Sequence, residues 1–262
     1  MNKFNAISCC AFLFYCSAGL AENYTQAVMV DHEGGVQTVT YEDQEGQAVI
    51  EGDIVIGTTQ ELQGRGALVH KLLNKRWPDA VMPYKINDDM PNSNRTYIHQ
   101  ALDHIEDNTN VRFVLVTNSN KNKYKNYVEF IPSASSCSSY VGMQGGRQTI
   151  SLATNCRRGA SIHEICHALG FWHEQSRSDR DSYVKINWDN IRESAKGNFN
   201  MVITNGFRMG GYDYGSIMHY GPKDFSKNGK ETIIPLKSGV TIGQRKGMSP
   251  IDIDTMNRIY KK

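Results

Sequence analysis

Runs of alternating apolar and polar residues divide the middle of the chain into short strands separated by one long helix. The strand candidates are rich in β-branched and aromatic residues and lie at residues 81–86, 111–117, 127–131 and 148–152. Residues 91–108 repeat apolar side chains at helical spacing, which predicts a helix, and Asn92 or Ser93 is a suitable N-cap.

The order of these elements predicts an α+β fold. An antiparallel or mixed N-terminal sheet is backed by two helices, and residues 148–152 are expected to form an edge strand beside the functional site. Residues 197–214 are rich in Gly, Asn and aromatics, so the following half has little regular structure. Ser249 and Pro250 are typical of a helix start and predict a closing C-terminal helix.

Residues 1–21 have the order of a secretory signal peptide: a positive start at Lys3, an apolar core over residues 6–15, and small residues before Ala21. Two alternatives are a lipid-anchored Cys16 and a buried first helix, and bulky residues before Cys16 disfavour the lipid anchor. No later segment is apolar enough to cross a bilayer. We expect a secreted protein, extracellular or periplasmic, with no membrane partner.

Residues 22–66, called the N-terminal segment below, are acidic, Gly-rich and poor in large apolar side chains. A segment of this kind cannot build its own core, so it must lie against another part of the protein or stay mobile. Within it, Gly52 and Asp53 are typical of an exposed turn, although they could also bring a carboxylate close to another surface. Arg65, flanked by glycines, predicts a loop that a trypsin-like protease could cut.

Composition and charge argue against a nucleic-acid-binding protein. The chain has 262 residues, is 39% hydrophobic and 21% charged, and carries a net charge of +2. These values are ordinary for a globular protein, and no dense block of Lys or Arg supports a nucleic-acid partner.

Three cysteines remain once the signal peptide is discounted. An odd number in an exported protein implies one disulfide and one free thiol. Cys166 lies between two histidines of a helical motif and is best interpreted as a small buried apolar residue, with a fourth metal ligand as the alternative. Cys137 and Cys156 are then expected to pair, with a typical contribution of about 3 kcal/mol to stability.

The motif H-E-x-x-H-x-x-G-x-x-H carries the chemistry. His163 and His167 are four residues apart, so on a helix they project from one face and can bind one metal ion. Glu164 can reach a water on that ion and act as a base without being a ligand. His173 would lie on the wrong side of a continued helix, and Gly170 can turn the chain back toward the metal.

Beyond this motif, the continuation to Asp181 and the later sequence Ser216-Ile217-Met218-His219-Tyr220 resemble the astacin family of zinc endopeptidases, which belong to the metzincins. The resemblance covers about residues 75–260. It implies a metzincin-type catalytic domain of two subdomains over residues 67–262, with the metal helix among the two helices of a twisted mixed N-terminal sheet. A largely irregular C-terminal subdomain then ends in the closing helix.

The resemblance also implies the roles of individual residues. His163, His167 and His173 would bind one zinc ion, and Glu164 would activate the attacking water and pass its proton to the leaving amine. Tyr220 would be a resting metal ligand or a donor to the oxyanion, whereas spacing alone leaves it as a packed aromatic residue. Met218 would form an apolar floor beneath the histidines.

Relatives in this family are made as latent precursors, which reverses the first interpretation of Asp53. The N-terminal segment would be an inhibitory pro-segment whose Asp53 occupies the open metal position. Cleavage near Arg65 would release it, and the new amino terminus would be buried beside Glu174. Arg245 lies where acid-preferring relatives carry a basic residue, which suggests Asp or Glu after the scissile bond.

We therefore expect a monomeric zinc endopeptidase that acts on protein or peptide substrates. Two other classes remain open: a catalytically silent metal-binding module, and a zinc hydrolase of small molecules. The first would need a broken site, but all the motif residues are intact. The second is disfavoured by the expected edge strand, which suits an extended peptide.

Overall fold

The structure is a computed structural model, and it describes residues 24–30, 36–63, 69–71, 76–201 and 209–261. The expected signal peptide at residues 1–21 and the expected cleavage site at Arg65 lie outside the described residues.

Twelve strands and four α-helices are present among the described residues. The strands are β1 (Tyr24–Val30), β2 (Val36–Gln44), β3 (Gln47–Ile50), β4 (Ile54–Thr58), β5 (Val69–Lys71), β6 (Val81–Ile86), β7 (Arg112–Leu115), β8 (Tyr127–Pro132), β9 (Cys137–Tyr140), β10 (Arg147–Leu152), β11 (Val184–Ile186) and β12 (Ile233–Pro235). The helices are α1 (Thr59–Gln63), α2 (Asn92–Asn108), α3 (Arg158–Ala168) and α4 (Pro250–Ile259).

Ten of the strands form one mixed sheet in the order β5-β1-β2-β3-β4-β9-β10-β8-β6-β7. Strands β7, β6, β8 and β10 run parallel to one another, and β9 is antiparallel to β10. The α+β class with a mixed sheet, few helices and a closing C-terminal helix is confirmed.

The main core lies between the sheet and helices α2 and α3. The apolar face of α2 is fully buried, as its spacing predicts, with Ile98 and Ile105 at 0% exposure. Ile162 and Ile165 of α3 and Phe130 of β8 are equally buried in the same cluster. This packing fixes the position of α3, and with it the position of the histidines that α3 carries.

The N-terminal segment is an extension of the main sheet. Strand β4 pairs in parallel with β9, so that Ile54 lies opposite Ser139. Tyr41, Ile54 and Ile56 form a second buried cluster that packs against Trp172 of the domain. The segment therefore gains a core by lying on the rest of the protein, as its composition requires.

Two local predictions are wrong. Strand β10 is not at an edge, because it lies between β9 and β8; without the N-terminal segment the free edge would belong to β9. The N-cap of α2 is Pro91, without a side-chain cap, and neither Asn92 nor Ser93 takes that position. The polar side chain that is buried near this end is Asn94, whose amide donates to the Ala153 carbonyl at 2.8 Å.

The second half is largely irregular, with β11 and β12 as its one strand pair among the described residues. Helix α4 begins at Pro250, as predicted, and a capping box formed by Ser249 and Asp252 stabilises its start. The expected disulfide is present between Cys137 and Cys156. Within the described ranges, no helix is both long and apolar enough to span a membrane.

Candidate metal centre

Helix α3 places two of the three motif histidines. Its interior contains no Gly or Pro beyond the first turn, so it continues without a break to Ala168. Gly170 then adopts φ 105°, a left-handed conformation that favours glycine. The turn there is fixed by the Phe171 amide, which donates to the Cys166 carbonyl at 3.0 Å. The chain thereby returns His173 to the Nε2 atoms of His163 and His167.

The three imidazoles converge on one point, and Asp53 lies at the same point. Nε2 of His163 is 3.2 Å from Nε2 of His173. The Asp53 carboxylate lies 3.2 Å from Nε2 of His163, 3.6 Å from that of His167 and 3.3 Å from that of His173. All four ligand atoms lie within 4.8 Å of one another.

The opposite ring nitrogens each have an acceptor. Nδ1 of His163 donates to the Ile217 carbonyl at 2.8 Å, and Nδ1 of His167 donates to the Phe171 carbonyl at 2.7 Å. Nδ1 of His173 donates to the Glu51 carboxylate at 2.7 Å. Donation from Nδ1 selects the tautomer whose Nε2 lone pair faces the common point, which is the form that binds a metal.

These residues fit a zinc ion. Three imidazoles and one carboxylate form a four-ligand set of the type that zinc prefers. Nε2 of His167 and Oδ1 of Asp53 are buried and make no hydrogen bond within the described protein, as expected of metal ligands. The cluster does not include Cys166, a buried free cysteine, so its interpretation as an apolar core residue is favoured over a fourth ligand.

Glu164 projects beside this cluster and has a free carboxylate oxygen. Its side chain is buried, and Oε2 has no hydrogen-bond partner among the described residues. Burial raises the pKa of the Glu164 carboxyl well above its usual range, and the neighbouring Asp53 carboxylate raises it further. Glu164 is therefore available to hold a proton at the site.

Tyr220 reaches the site from the C-terminal half. Its ring packs 4.7 Å from the ring of His173, between centroids, and is buried. Its hydroxyl donates to the backbone carbonyl of Glu51. Tyr220 is thus held away from other partners by the N-terminal segment.

The turn over residues 51–53 is shaped so that it can contact the site. Glu51 has φ 50° and Gly52 has φ 82°, both left-handed. A Cβ on Gly52 would lie 2.6 Å from Cζ of Phe225, so another residue would strain the backbone and displace the Phe225 ring. The two sequence interpretations of Asp53 are therefore compatible, because Asp53 belongs to a turn and the turn contacts the histidines.

Glu51 is a site residue that the sequence analysis missed. Its carboxylate holds His173, its carbonyl accepts from Tyr220, and its side chain is only 6% exposed. The sequence offers one signal, its position two residues before Asp53, but nothing in the sequence pairs it with a histidine 122 residues away.

Asp252 is a second missed residue, and it supports the turn that carries Met218. Its carboxylate accepts from the Ser216 hydroxyl at 2.7 Å and from the Ile217 amide at 2.9 Å. The carbonyl of Ile217 in turn fixes His163. Met218, at 1% exposure, packs in the main core together with residues of α3. The capping box located Asp252 on α4 without indicating this second role.

Glu174 lies on the far side of His173 and lines a cavity of about 90 Å³. Its Oε1 accepts from the Asp213 amide at 2.8 Å and lies 3.6 Å from Nε of Arg177. Burial raises the pKa of the Glu174 carboxyl to about 7. The opposite wall of the cavity includes Ile251 and Thr255 of α4.

Arg245 lies on the other side of the metal cluster. Its Nη1 donates to the carbonyls of His219 and Gln244, at 3.0 Å each. Arg245 lines a cleft cavity that also contains His163, Glu164 and Tyr220. Of the predicted site residues, Asp53, His163, Glu164, Tyr220 and Arg245 line this cleft, and His167 and His173 belong to the adjoining metal cluster.

A helix that presents two histidines, joined by a third after a glycine turn, is the metal site of metzincin-type zinc peptidases. Comparisons with known proteins identify the family. The family model described as "Astacin", a peptidase family, matches residues 69–261, and the chain belongs to this family of metalloendopeptidases.

Two relatives illustrate the match. The zinc metalloproteinase nas-15 of Caenorhabditis elegans is 41% identical over 187 residues, which is 70% of this chain and 32% of the relative. The low choriolytic enzyme of Oryzias latipes is 36% identical over 223 residues, covering 82% of this chain and 79% of the relative. The chain spans 32 to 41% of the length of the three nematode relatives nas-15, nas-13 and nas-14.

Solved structures agree. High choriolytic enzyme 1, a hatching enzyme zinc-protease from Oryzias latipes, superposes with a TM-score of 0.64 at 39% identity, covering 71% of this chain and 92% of that chain. Myroilysin shares the fold, with a TM-score of 0.51 at 19% identity over 73% of this chain and 98% of that chain.

Proposed function

We propose that the chain is a secreted zinc-dependent endopeptidase, made as a latent precursor, that hydrolyses protein or peptide substrates. One observation carries this proposal: three Nε2 atoms converge beside Glu164, whose Oε2 has no hydrogen-bond partner among the described residues. The proposed organisation is a signal peptide at residues 1–21, an inhibitory segment at residues 22–66 and a catalytic domain at residues 67–262.

Glu164 acts as the general base and then as the general acid. A zinc ion bound by the three histidines supplies a Lewis acid, which polarises the scissile carbonyl and makes water more acidic. Glu164 takes the proton of the attacking water on its free oxygen and delivers it to the leaving amine. Its free oxygen, which lies beside the converging histidines, suits Glu164 to both transfers.

Tyr220 stabilises the oxyanion that forms during the attack. Its hydroxyl is a donor at the edge of the cluster, and removal of the N-terminal segment would free it from the Glu51 carbonyl. Such a donor acts where negative charge develops, and its loss typically raises the barrier by about 3 kcal/mol.

Latency rests on Asp53. Its carboxylate lies where the attacking water must bind, and the N-terminal segment holds it there by strand pairing between β4 and β9. Cleavage near Arg65 by a trypsin-like protease releases the segment. The new amino terminus then enters the cavity beside Glu174, whose carboxylate can bind an ammonium group.

Release of the N-terminal segment also frees the edge of β9. An extended peptide can add to that edge as a further strand, which places its scissile bond over the cluster. Arg245 then favours Asp or Glu after the scissile bond. The enzyme acts as a monomer.

Casein hydrolysis by the intact and the trypsin-cut chain tests this function, with and without a zinc chelator. We expect activity only in the cut chain, loss of activity with chelator, recovery with added zinc, and no activity in cut Glu164→Gln. Casein hydrolysis that the chelator does not reduce would contradict the metal mechanism. A cut chain that binds zinc and leaves casein intact would contradict the peptidase assignment.

A further inference from the structure

A cavity of about 410 Å³ remains in the cleft beside the metal cluster, even with the N-terminal segment in place. Its walls include His163 and Glu164 of α3 and Tyr220 of the C-terminal half. Because the cavity adjoins Glu164, a substrate side chain next to the reacting bond would enter it. Two arginines, Arg192 and Arg245, line this cavity.

Arg245 is held by backbone carbonyls and has no ion pair within the described ranges. Nη1 donates to His219 and Gln244, which leaves the other guanidinium nitrogens without a hydrogen-bond partner on the described part of the chain.

Arg192 is held against the same wall of the cleft. Its amide donates to the Phe225 carbonyl at 3.0 Å, and its guanidinium lies 5.7 Å from the centroid of the Phe225 ring. Phe225 in turn packs 5.4 Å from the ring of Tyr220. Arg192 is exposed and has no acidic partner among the residues that the structure describes.

Apart from Glu164, whose proposed role is catalytic, the acidic residues that line the cavity are already engaged. Asp224 accepts from the Gly221 amide at 2.7 Å, and Glu51 binds His173. Glu51 and Asp53 also belong to the N-terminal segment, so the proposed cleavage removes both carboxylates from the cleft. The processed cleft therefore carries two guanidinium groups and two carboxylates among the described lining residues, the engaged Asp224 and the proposed catalytic Glu164.

The position of β9 indicates which substrate residues enter the cavity. Ser136 and Cys137, at the start of β9, line the cavity. The metal cluster lies further along the same strand, because the carbonyl of Asp53 accepts a hydrogen bond from the Ser139 amide. A substrate that pairs antiparallel with β9 directs the residues after its scissile bond toward Cys137. Those residues are the ones that meet the two arginines.

We propose that Arg192 is a second specificity-determining residue, so that the substrates are peptides with two acidic side chains after the scissile bond. Arg245 receives the first of these, and Arg192 receives the second, at one of the next two positions. A guanidinium recognises a carboxylate through paired N–H donors, which gives both arginines a defined ligand. This inference rests on the proposed peptidase function.

Four fluorogenic peptides test it with trypsin-cut enzyme. They differ only in the three residues after the scissile bond: Ala-Ala-Ala, Asp-Ala-Ala, Asp-Asp-Ala and Asp-Ala-Asp. We expect Arg192→Gln to lower kcat/KM about fivefold for one of the two double-acid peptides and less than about twofold for the others. Arg192→Lys should retain part of the preference. Lys185→Gln removes the same charge from an exposed residue of β11, away from the cavity, and should leave all four rates unchanged.

An equal loss on all four peptides, or no loss on either double-acid peptide, would overturn the assignment of Arg192. A binding measurement separates this result from failure of the peptidase function. Trypsin-cut Glu164→Gln should bind a fluorescein-labelled double-acid peptide more tightly than the neutral peptide. Adding Arg192→Gln to this variant should reduce the ratio of the two affinities about fivefold. Equal binding of both peptides would overturn the proposal whether or not casein is hydrolysed.

Discussion

Oε2 of Glu51 lies 2.7 Å from Nδ1 of His173, the third of the converging histidines. The N-terminal segment therefore contacts this histidine on both sides, through Asp53 at Nε2 and through Glu51 at Nδ1. A carboxylate behind a ligating histidine fixes the ring and strengthens it as a metal ligand. The intact chain should consequently retain zinc better than the cut chain, which lacks Glu51.

Glu51→Ala should release zinc more readily from the intact chain, because His173 loses the acceptor at Nδ1. We expect a loss of about tenfold in zinc affinity, and partial recovery in Glu51→Gln, whose amide oxygen can accept the same bond. Competition with a chromophoric chelator measures the affinity.

Glu45→Ala is the matched control for Glu51→Ala. Glu45 belongs to the same segment, but its carboxylate accepts from Ser133, Ala134 and Ser135, away from the metal. The zinc affinity of the Glu45→Ala variant should equal that of the unchanged chain. Equal zinc loss in both variants would mean that the segment as a whole, and not the Glu51 contact, retains the metal.

Asp252→Ala should destabilise the protein strongly, because three groups donate to its buried carboxylate: the Ser216 hydroxyl and the amides of Ile217 and Ser249. We expect a loss of roughly 3 kcal/mol in the free energy of unfolding, measured by urea denaturation. Asp254→Ala, on the same helix, removes only an exposed ion pair with Arg258 and should change stability by less than about 0.5 kcal/mol. Similar losses in the free energy of unfolding of the two variants would contradict a stabilising role for the hydrogen bonds of Asp252.

His219 should make stability depend on pH. Burial lowers its pKa to about 4, and the ring is neutral, with Nδ1 donating to the Tyr220 carbonyl and Nε2 accepting from the Tyr212 hydroxyl. The unfolded chain binds a proton near pH 6.5, so the contribution of His219 is complete above pH 6.5. It is lost as pH falls toward 4, and amounts to roughly 3 kcal/mol.

Urea denaturation between pH 7.5 and pH 4.5 measures this dependence. His219→Gln should lose less stability over that range than the unchanged chain, because glutamine does not titrate. Parallel pH profiles for the two proteins would assign the acid sensitivity to other groups.

Local patterns predicted the elements that depend on local spacing. Strand β6 has the predicted bounds, and α3 carries His163 and His167 on one face because helical geometry requires it. Ser249 and Pro250 predict the start of α4 for the same reason. The disulfide followed from a count of cysteines outside the expected signal peptide.

The features that the sequence does not predict depend on contacts between residues far apart in the chain. The sequence predicts an edge strand at residues 148–152, because periodicity does not reveal that β9 lies outside β10. Glu51 and Asp252 were missed because their partners are distant in sequence, 122 residues away for Glu51 and 35 for Asp252 at the Ile217 amide. The proximity of Arg192 to the cleft depends on Phe225, which lies in an irregular part of the chain.

We propose that Asp53 keeps the intact chain inactive by occupying the metal position between the histidines. The direct measurement is the casein hydrolysis rate of intact Asp53→Ala, combined with Arg65→Gln to block trypsin-like cleavage and checked for intactness on a gel. Asp43→Ala, an exposed acidic residue of the same segment, is the matched control. We predict chelator-sensitive hydrolysis by intact Asp53→Ala and none by intact Asp43→Ala. An intact Asp53→Ala chain that stays inactive, although the same variant with Arg65 retained is active once cut, would contradict the claim.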